Sequence, residues 1–123
     1  MATDGNVPAT LEEALYKALE IAIEKNNTIV AKGLRDLLGH ELKSEIAYLV
    51  QKKDYDEALL RAGRLLETHR TIPFPLLHYG DITALAGRPE EAKRIFEHGA
   101  SLFPEEDAFR ARISQVQRSS AEA

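Results

Sequence analysis

The chain has 123 residues, 44% hydrophobic and 29% charged, with a formal net charge of −4; this fits one globular domain and leaves no basic face for nucleic acid. It has no cysteine, which excludes disulfides and thiolate zinc sites and agrees with a cytoplasmic location. No apolar run approaches the ~20 residues of a membrane span, and the few glycines and prolines favour long helices over an all-β design.

Residues 1–9 are small and polar, lack the basic-then-apolar order of a secretion signal, and read as a disordered leader. Thr10 begins a capping box with Glu13, its hydroxyl accepting a first-turn N–H while the glutamate reaches back. Leu11, Ala14, Leu15, Ala18, Leu19, Ala22 and Ile23 recur at three- and four-residue steps. They form the stripe of a helix over about 10–25, ended by Asn26-Asn27. Thr28 is placed to cap the next helix, with Ile29, Val30, Leu34, Leu37 and Leu38 apolar. That helix either stops at Gly39 or continues through Leu42, Ile46 and Val50 as one helix over 28–52, at about 1 kcal/mol for the interior glycine. The lack of a proline or polar cluster favours the single helix. Asp54 caps a third helix, which runs to about His69 with Tyr55, Ala58, Leu59, Ala62, Leu65 and Leu66 inward. Pro75 sits in the first turn of a fourth, which buries Leu76, Leu77, Tyr79, Gly80 and Ile82 and ends at Gly87. Pro89 opens a fifth, striped by Ala92, Ile95, Phe96, Gly99 and Leu102, and Pro104 ends it. A last helix is expected over 105–117. Phe109, Ile113 and Val116 face one way, Arg110, Arg112, Gln115 and Arg118 face out, and the acids at 105–107 complement its dipole. Residues 118–123 are expected to fray.

Two stretches echo each other. Asp54-Tyr55-Asp56-Glu57-Ala58-Leu59 returns 34 residues later as Arg88-Pro89-Glu90-Glu91-Ala92-Lys93, and the same offset puts Leu42 on Leu76. A period of 34 is the length of one helix–turn–helix unit in a solenoid. The expected fold is therefore all-α, built of antiparallel helix pairs.

The unit 73–106 resembles the tetratricopeptide repeat family. Leu76, Tyr79 and Gly80 stand in its first helix, Ala92, Phe96 and Gly99 in its second, and Pro104 closes it. Gly80, Ala92 and Gly99 match the family's small residues at the closest approach of the two helices, and Thr83 departs from a usual tyrosine. The unit 39–72 is a degenerate match. It keeps Leu42, Leu49, Tyr55 and Ala58, but Ile46, Leu65 and Arg70 replace two small residues and the closing proline. The resemblance implies a short right-handed superhelix with additional N-terminal helices and a C-terminal capping helix, a single domain over 10–117.

Nothing in the residue pattern points to catalysis, a cofactor or a metal. The histidines His40, His69, His78 and His98 lack the i, i+4 pairing of a helical metal site. There is no glycine-rich phosphate loop. His78 and Asp81 are i, i+3 on one helix, which reads as a groove hydrogen bond ahead of a catalytic dyad. The Arg110, Arg112 and Arg118 set reads as a solvated face.

In the family that the chain resembles, first helices line a concave surface. Carried over residue by residue, this implies a groove of Lys43, Ala47 and Val50 from one unit and Phe74, Leu77, His78, Asp81 and Leu85 from the next. Phe74 and Leu77 are the informative pair, because neither is needed for the stripe within its own unit. Some family members clamp the acidic C-terminus of heat-shock chaperones. Lys43 fits that clamp, but Ala47 and His78 stand where asparagines are needed, so this activity is not expected. The expected function is a non-catalytic adaptor, scaffold or chaperone-like module that binds a peptide or helix of another protein. The alternative is a self-associating subunit, such as a homodimer, using the same surface. A third outcome has the N-terminal helix folding back into the groove.

Overall fold

The computed structural model describes residues 10–122; the expected leader, 1–9, lies outside them. Among these residues the only regular elements are six helices: α1 (Leu11–Glu24), α2 (Thr28–Gln51), α3 (Tyr55–Thr68), α4 (Phe74–Leu85), α5 (Pro89–Leu102) and α6 (Asp107–Glu122). Each packs on its neighbour in the chain, and α4 also touches α6. The fold is all-α, with consecutive helices paired.

Local chemistry sets the helix ends. The Thr10 hydroxyl accepts from the Glu13 N–H at 3.1 Å and starts α1. Asn27, not Thr28, caps α2: its side-chain oxygen accepts from the Val30 N–H at 3.2 Å, and Thr28 becomes the first helical residue. Asp54 holds the cap position of α3 but makes no side-chain cap bond. α6 begins at Asp107, leaving Glu105 and Glu106 in the turn before it. It continues to Glu122, five residues past the expected end at Gln117.

The 34-residue echo is present in the backbone. α3 and α5 have 14 residues each and stand 34 apart. The turn before α3 places Lys53 at φ 64°, and the turn before α5 places Gly87 at φ 82°. In both turns that residue's N–H bonds the carbonyl three residues back, at Val50 or Ala84, and the next N–H bonds the carbonyl five back, at Leu49 or Thr83. Only glycine takes this left-handed conformation at no steric cost, so the lysine is the more strained of the two.

α2 is one helix of 24 residues that passes straight through Gly39. A Cβ at Gly39 would lie 3.0 Å from the His69 ring, so the glycine admits the end of α3 close to α2. The contact is tighter further along. A Cβ at Gly80 would run into the Phe96 ring, and one at Gly99 would run into the Phe109 ring. Both rings are fully buried. The core has two parts that meet at α4. Leu38, Leu42, Ile46, Ala58, Ala62, Leu65 and Ile82 belong to the larger, between α1 and α4. Ala92, Phe96 and Phe109 form the smaller, with Leu76, Leu77, Phe103, Ile113 and Val116 against it. Each buried leucine or isoleucine contributes about 2 kcal/mol relative to exposure. Thr83, fully buried, donates its hydroxyl to the Tyr79 carbonyl at 2.8 Å, which satisfies it within its own helix.

The glycines separate by what lies over them. Gly80→Ala and Gly99→Ala are expected to destabilise the protein by about 1–3 kcal/mol each, since a buried ring has nowhere to go. Gly63→Ala meets only the Tyr79 ring edge at 3.9 Å and is expected to be neutral or stabilising by up to about 1 kcal/mol through helix propensity. Urea unfolding of the three variants checks the order.

Candidate partner-binding site

α4 is held between α3 and α5 and carries the expected groove residues along one line. Phe74 opens the helix, 39% exposed. The Lys43 ammonium of α2 lies 4.8 Å from its ring centre, a cation–π contact. The His78 ring meets Phe74 edge-on, centroids 5.3 Å apart. One turn further, Asp81 faces Arg112 of α6: Nε donates to Oδ1 at 2.7 Å and Nη2 to Oδ2 at 3.3 Å. Leu85 ends the line, 57% exposed. Ala47 is exposed on α2, while Val50 is half-buried against the larger core.

Two expectations change here. Leu77 is shared with the core, since it is half-buried and packs on the Phe96–Phe109 cluster. Arg112 does not belong to a solvated face. The Asp81 hydrogen bonds raise its pKa above the ordinary value despite partial burial, and the pair ties α4 to α6. The same pair leaves His78 without a dedicated carboxylate. Burial lowers the His78 pKa below its usual 6.5; Lys43 lowers it further, and Asp81 opposes the shift.

A cleft of about 570 Å³ opens beside this line. Asp81, Ala84 and Leu85 form one wall, Arg112, Gln115, Val116 and Ser119 of α6 the other, with Pro89 and Phe96 at the base. The α6 wall is absent from the groove residues expected above. A further 34-residue step from Asp81 and Leu85 lands on Gln115 and Ser119, so the signal was present in the period.

The N-terminal helix does not fill this cleft. Its Glu12 carboxylate, 5% exposed, is held by two arginines of α3: Arg61 at 3.1 Å and Arg64 through a second oxygen. Arg61 also lies 3.2 Å from Glu45 of α2, without hydrogen-bond alignment. Burial raises the Glu45 pKa, and the neighbouring Glu12 adds to the shift. Burial would lower the Arg64 pKa, but the Glu12 bond and charge raise it overall. These four groups join α1, α2 and α3 and hold α1 against α2 and α3, away from the cleft. Among the described residues no group of three or more His, Cys, Asp or Glu is placed to hold a metal ion, and no helix is long and apolar enough to cross a membrane. No family model matches the chain, and no curated protein matches it.

Two measurements follow from these charges. Glu12→Ala is expected to cost about 2 kcal/mol in urea unfolding, less than the 3–5 of a fully buried pair because Arg64 keeps solvent contact. For His78 the neutral ring is favoured in the fold, so its contribution is complete above pH 6.5 and lost as pH falls through the lowered folded value. His78→Gln is expected to flatten the wild-type loss of stability just below pH 6.5, read as a difference between the two pH profiles.

Proposed function

We propose that this chain is a non-catalytic protein-interaction module of tetratricopeptide-like design, which holds a peptide or helical segment of another protein along the α2–α4–α6 face. The cleft carries this reading. Its charged groups are paired with one another, and its open positions set apolar Ala84, Leu85 and Pro89 opposite the neutral polar Gln115 and Ser119. A surface of that kind gains from covering apolar area and has fixed polar groups to orient what covers it. Of the described residues that line it, Asp81 is engaged by Arg112, and no histidine stands with the Ser119 hydroxyl. The equal lengths and 34-residue offset of α3 and α5 support the tetratricopeptide-like part of the reading. An adaptor, scaffold or chaperone-like role in the cytoplasm is the cellular form of this proposal.

Selection from a displayed library of linear peptides tests it. Wild type is expected to enrich sequences that share spaced apolar anchors. Leu85→Lys and Phe74→Ser, both at exposed positions, are expected to weaken the selected peptides at least about tenfold, the loss typical of an interface anchor, with helicity by circular dichroism unchanged. Failure to enrich any shared pattern, or enrichment indifferent to both substitutions, overturns the proposal.

A further inference from the structure

A second surface lies on the other side of α2. Glu12 turns toward Arg61 and Arg64 of α3, so it marks the flank of α1 that faces α3. The opposite flank carries Leu11, Ala14, Ala18 and Ile21 at steps of three and four. Leu11 is 60% and Ile21 46% exposed. On α2, Gly39 and Lys43 mark the side toward α3 and α4, through His69 and Phe74. The opposite flank carries Val30 and Leu37, 47% and 58% exposed. The two helices pack as an antiparallel pair across a three-residue turn at 25–27. Both flanks turn away from α3, on adjacent packed helices, and so lie on the same side of the α1–α2 pair. Among the described residues nothing covers it. At the other end of the stack, α6 presents Arg110, Ser114, Gln117 and Arg118 to solvent, the polar outer face that a terminal helix needs.

Gly33 shares the exposed α2 flank. An interior glycine lowers helix stability, and Gly39, Gly80 and Gly99 each admit a ring in return. A Cβ at Gly33 would meet nothing within 4 Å. Its own chain makes no use of the space above it.

We propose that this face is a self-association surface on which a second copy of the chain docks with two-fold symmetry. The stripe on α1 is its own mirror in spacing. Leu11 and Ile21 lie five residues either side of Tyr16, and Ala14 and Ala18 lie two either side. A two-fold axis at that level lays α1 antiparallel on the other α1, with Leu11 against Ile21 and Ala14 against Ala18. The alanines at the centre allow the axes to approach at the near end of the usual 8–10 Å. Counted through the turn, the same axis crosses α2 at about residue 36, within one residue of the midpoint of Gly33 and Leu37. The second copy's Leu37 then enters the space over Gly33. A face about 20 Å long and about two helices wide, with its side-chain relief, is on the order of the ~800 Å² per partner of a standard interface. The surface is separate from the α2–α4–α6 cleft, so its fate does not depend on the proposed function.

Sedimentation velocity over a micromolar-to-millimolar series tests it on the full chain. The wild type is expected to shift toward dimer as concentration rises. Leu37→Glu is expected to weaken association at least about tenfold, as loss of a central anchor does. Gly33→Ala gives the sharper reading. It is expected to raise the unfolding midpoint of the dilute monomer while weakening the dimer, a split that a purely structural glycine would not show. Leu85→Lys, in the cleft, is expected to leave association unchanged. A wild type that stays monomeric throughout, a dimer indifferent to both Leu37→Glu and Gly33→Ala, or a dimer lost with Leu85→Lys would each overturn the proposal.

Discussion

Successive helices in this chain are set by a ring lying on a glycine. His69 lies on Gly39, Phe96 on Gly80 and Phe109 on Gly99, each ring belonging to the helix, or the end of the helix, that follows. A flat ring against bare backbone brings two helices nearer than two branched side chains would, and it fixes their rotation as well as their distance. Gly80 is the central case. It lets α5 close on α4 through Phe96, and Phe96 and Phe109 then build the smaller core on which α6 rests. Because the rings are buried, the helices have little freedom to slide without exposing them.

The cleft is a consequence of that constraint. α4 is closed on one side by Tyr79 and Ile82, which join the larger core, and on another by Gly80, Leu76 and Leu77. What remains of its surface is the line Phe74, His78, Asp81, Leu85. α6 approaches only far enough for Arg112 to reach Asp81, which leaves the crevice between them open. The bidentate pair is about one-third exposed on both sides. It contributes modestly to stability and chiefly fixes the angle at which α6 stands beside the crevice.

Much of this was legible in the residues because helix-forming information is local. Prolines at 75 and 89, the Thr10 cap and the left-handed Gly87 mark ends that depend on a few neighbours. The competition between Asn27 and Thr28 for a cap is decided by backbone geometry that spacing does not reveal. Burial was harder to read where it depends on partners far away in sequence. Glu12 has the spacing of a first-turn acid that belongs in water, yet it is buried because two arginines about 50 residues on enclose it. Leu77 sits on the rotational side assigned to the groove, but it is half-buried against the cluster that Phe96 of α5 and Phe109 of α6 build. Arg112 is a surface arginine by pattern and a cross-helix partner in fact. Each depends on where α1 or α6 comes to rest, and neither of those helices lies inside the two 34-residue units.

The length of α2 connects the two surfaces. At 24 residues it is about 36 Å long, against about 21 Å for α1 and α3. Its second half is matched by α3 and presents Lys43, Ala47 and Val50 toward α4. Its first half extends past α3, is supported by α1 alone, and therefore leaves Val30 and Leu37 uncovered. The two sets occupy opposite flanks and opposite halves of one rigid helix. Occupation of one does not obstruct the other. In the proposed dimer the two clefts would be held by the paired α2 helices rather than by a flexible linker. A partner with two matching segments at that separation would then gain from effective concentration without any new contact in either cleft, and a partner with one segment would not.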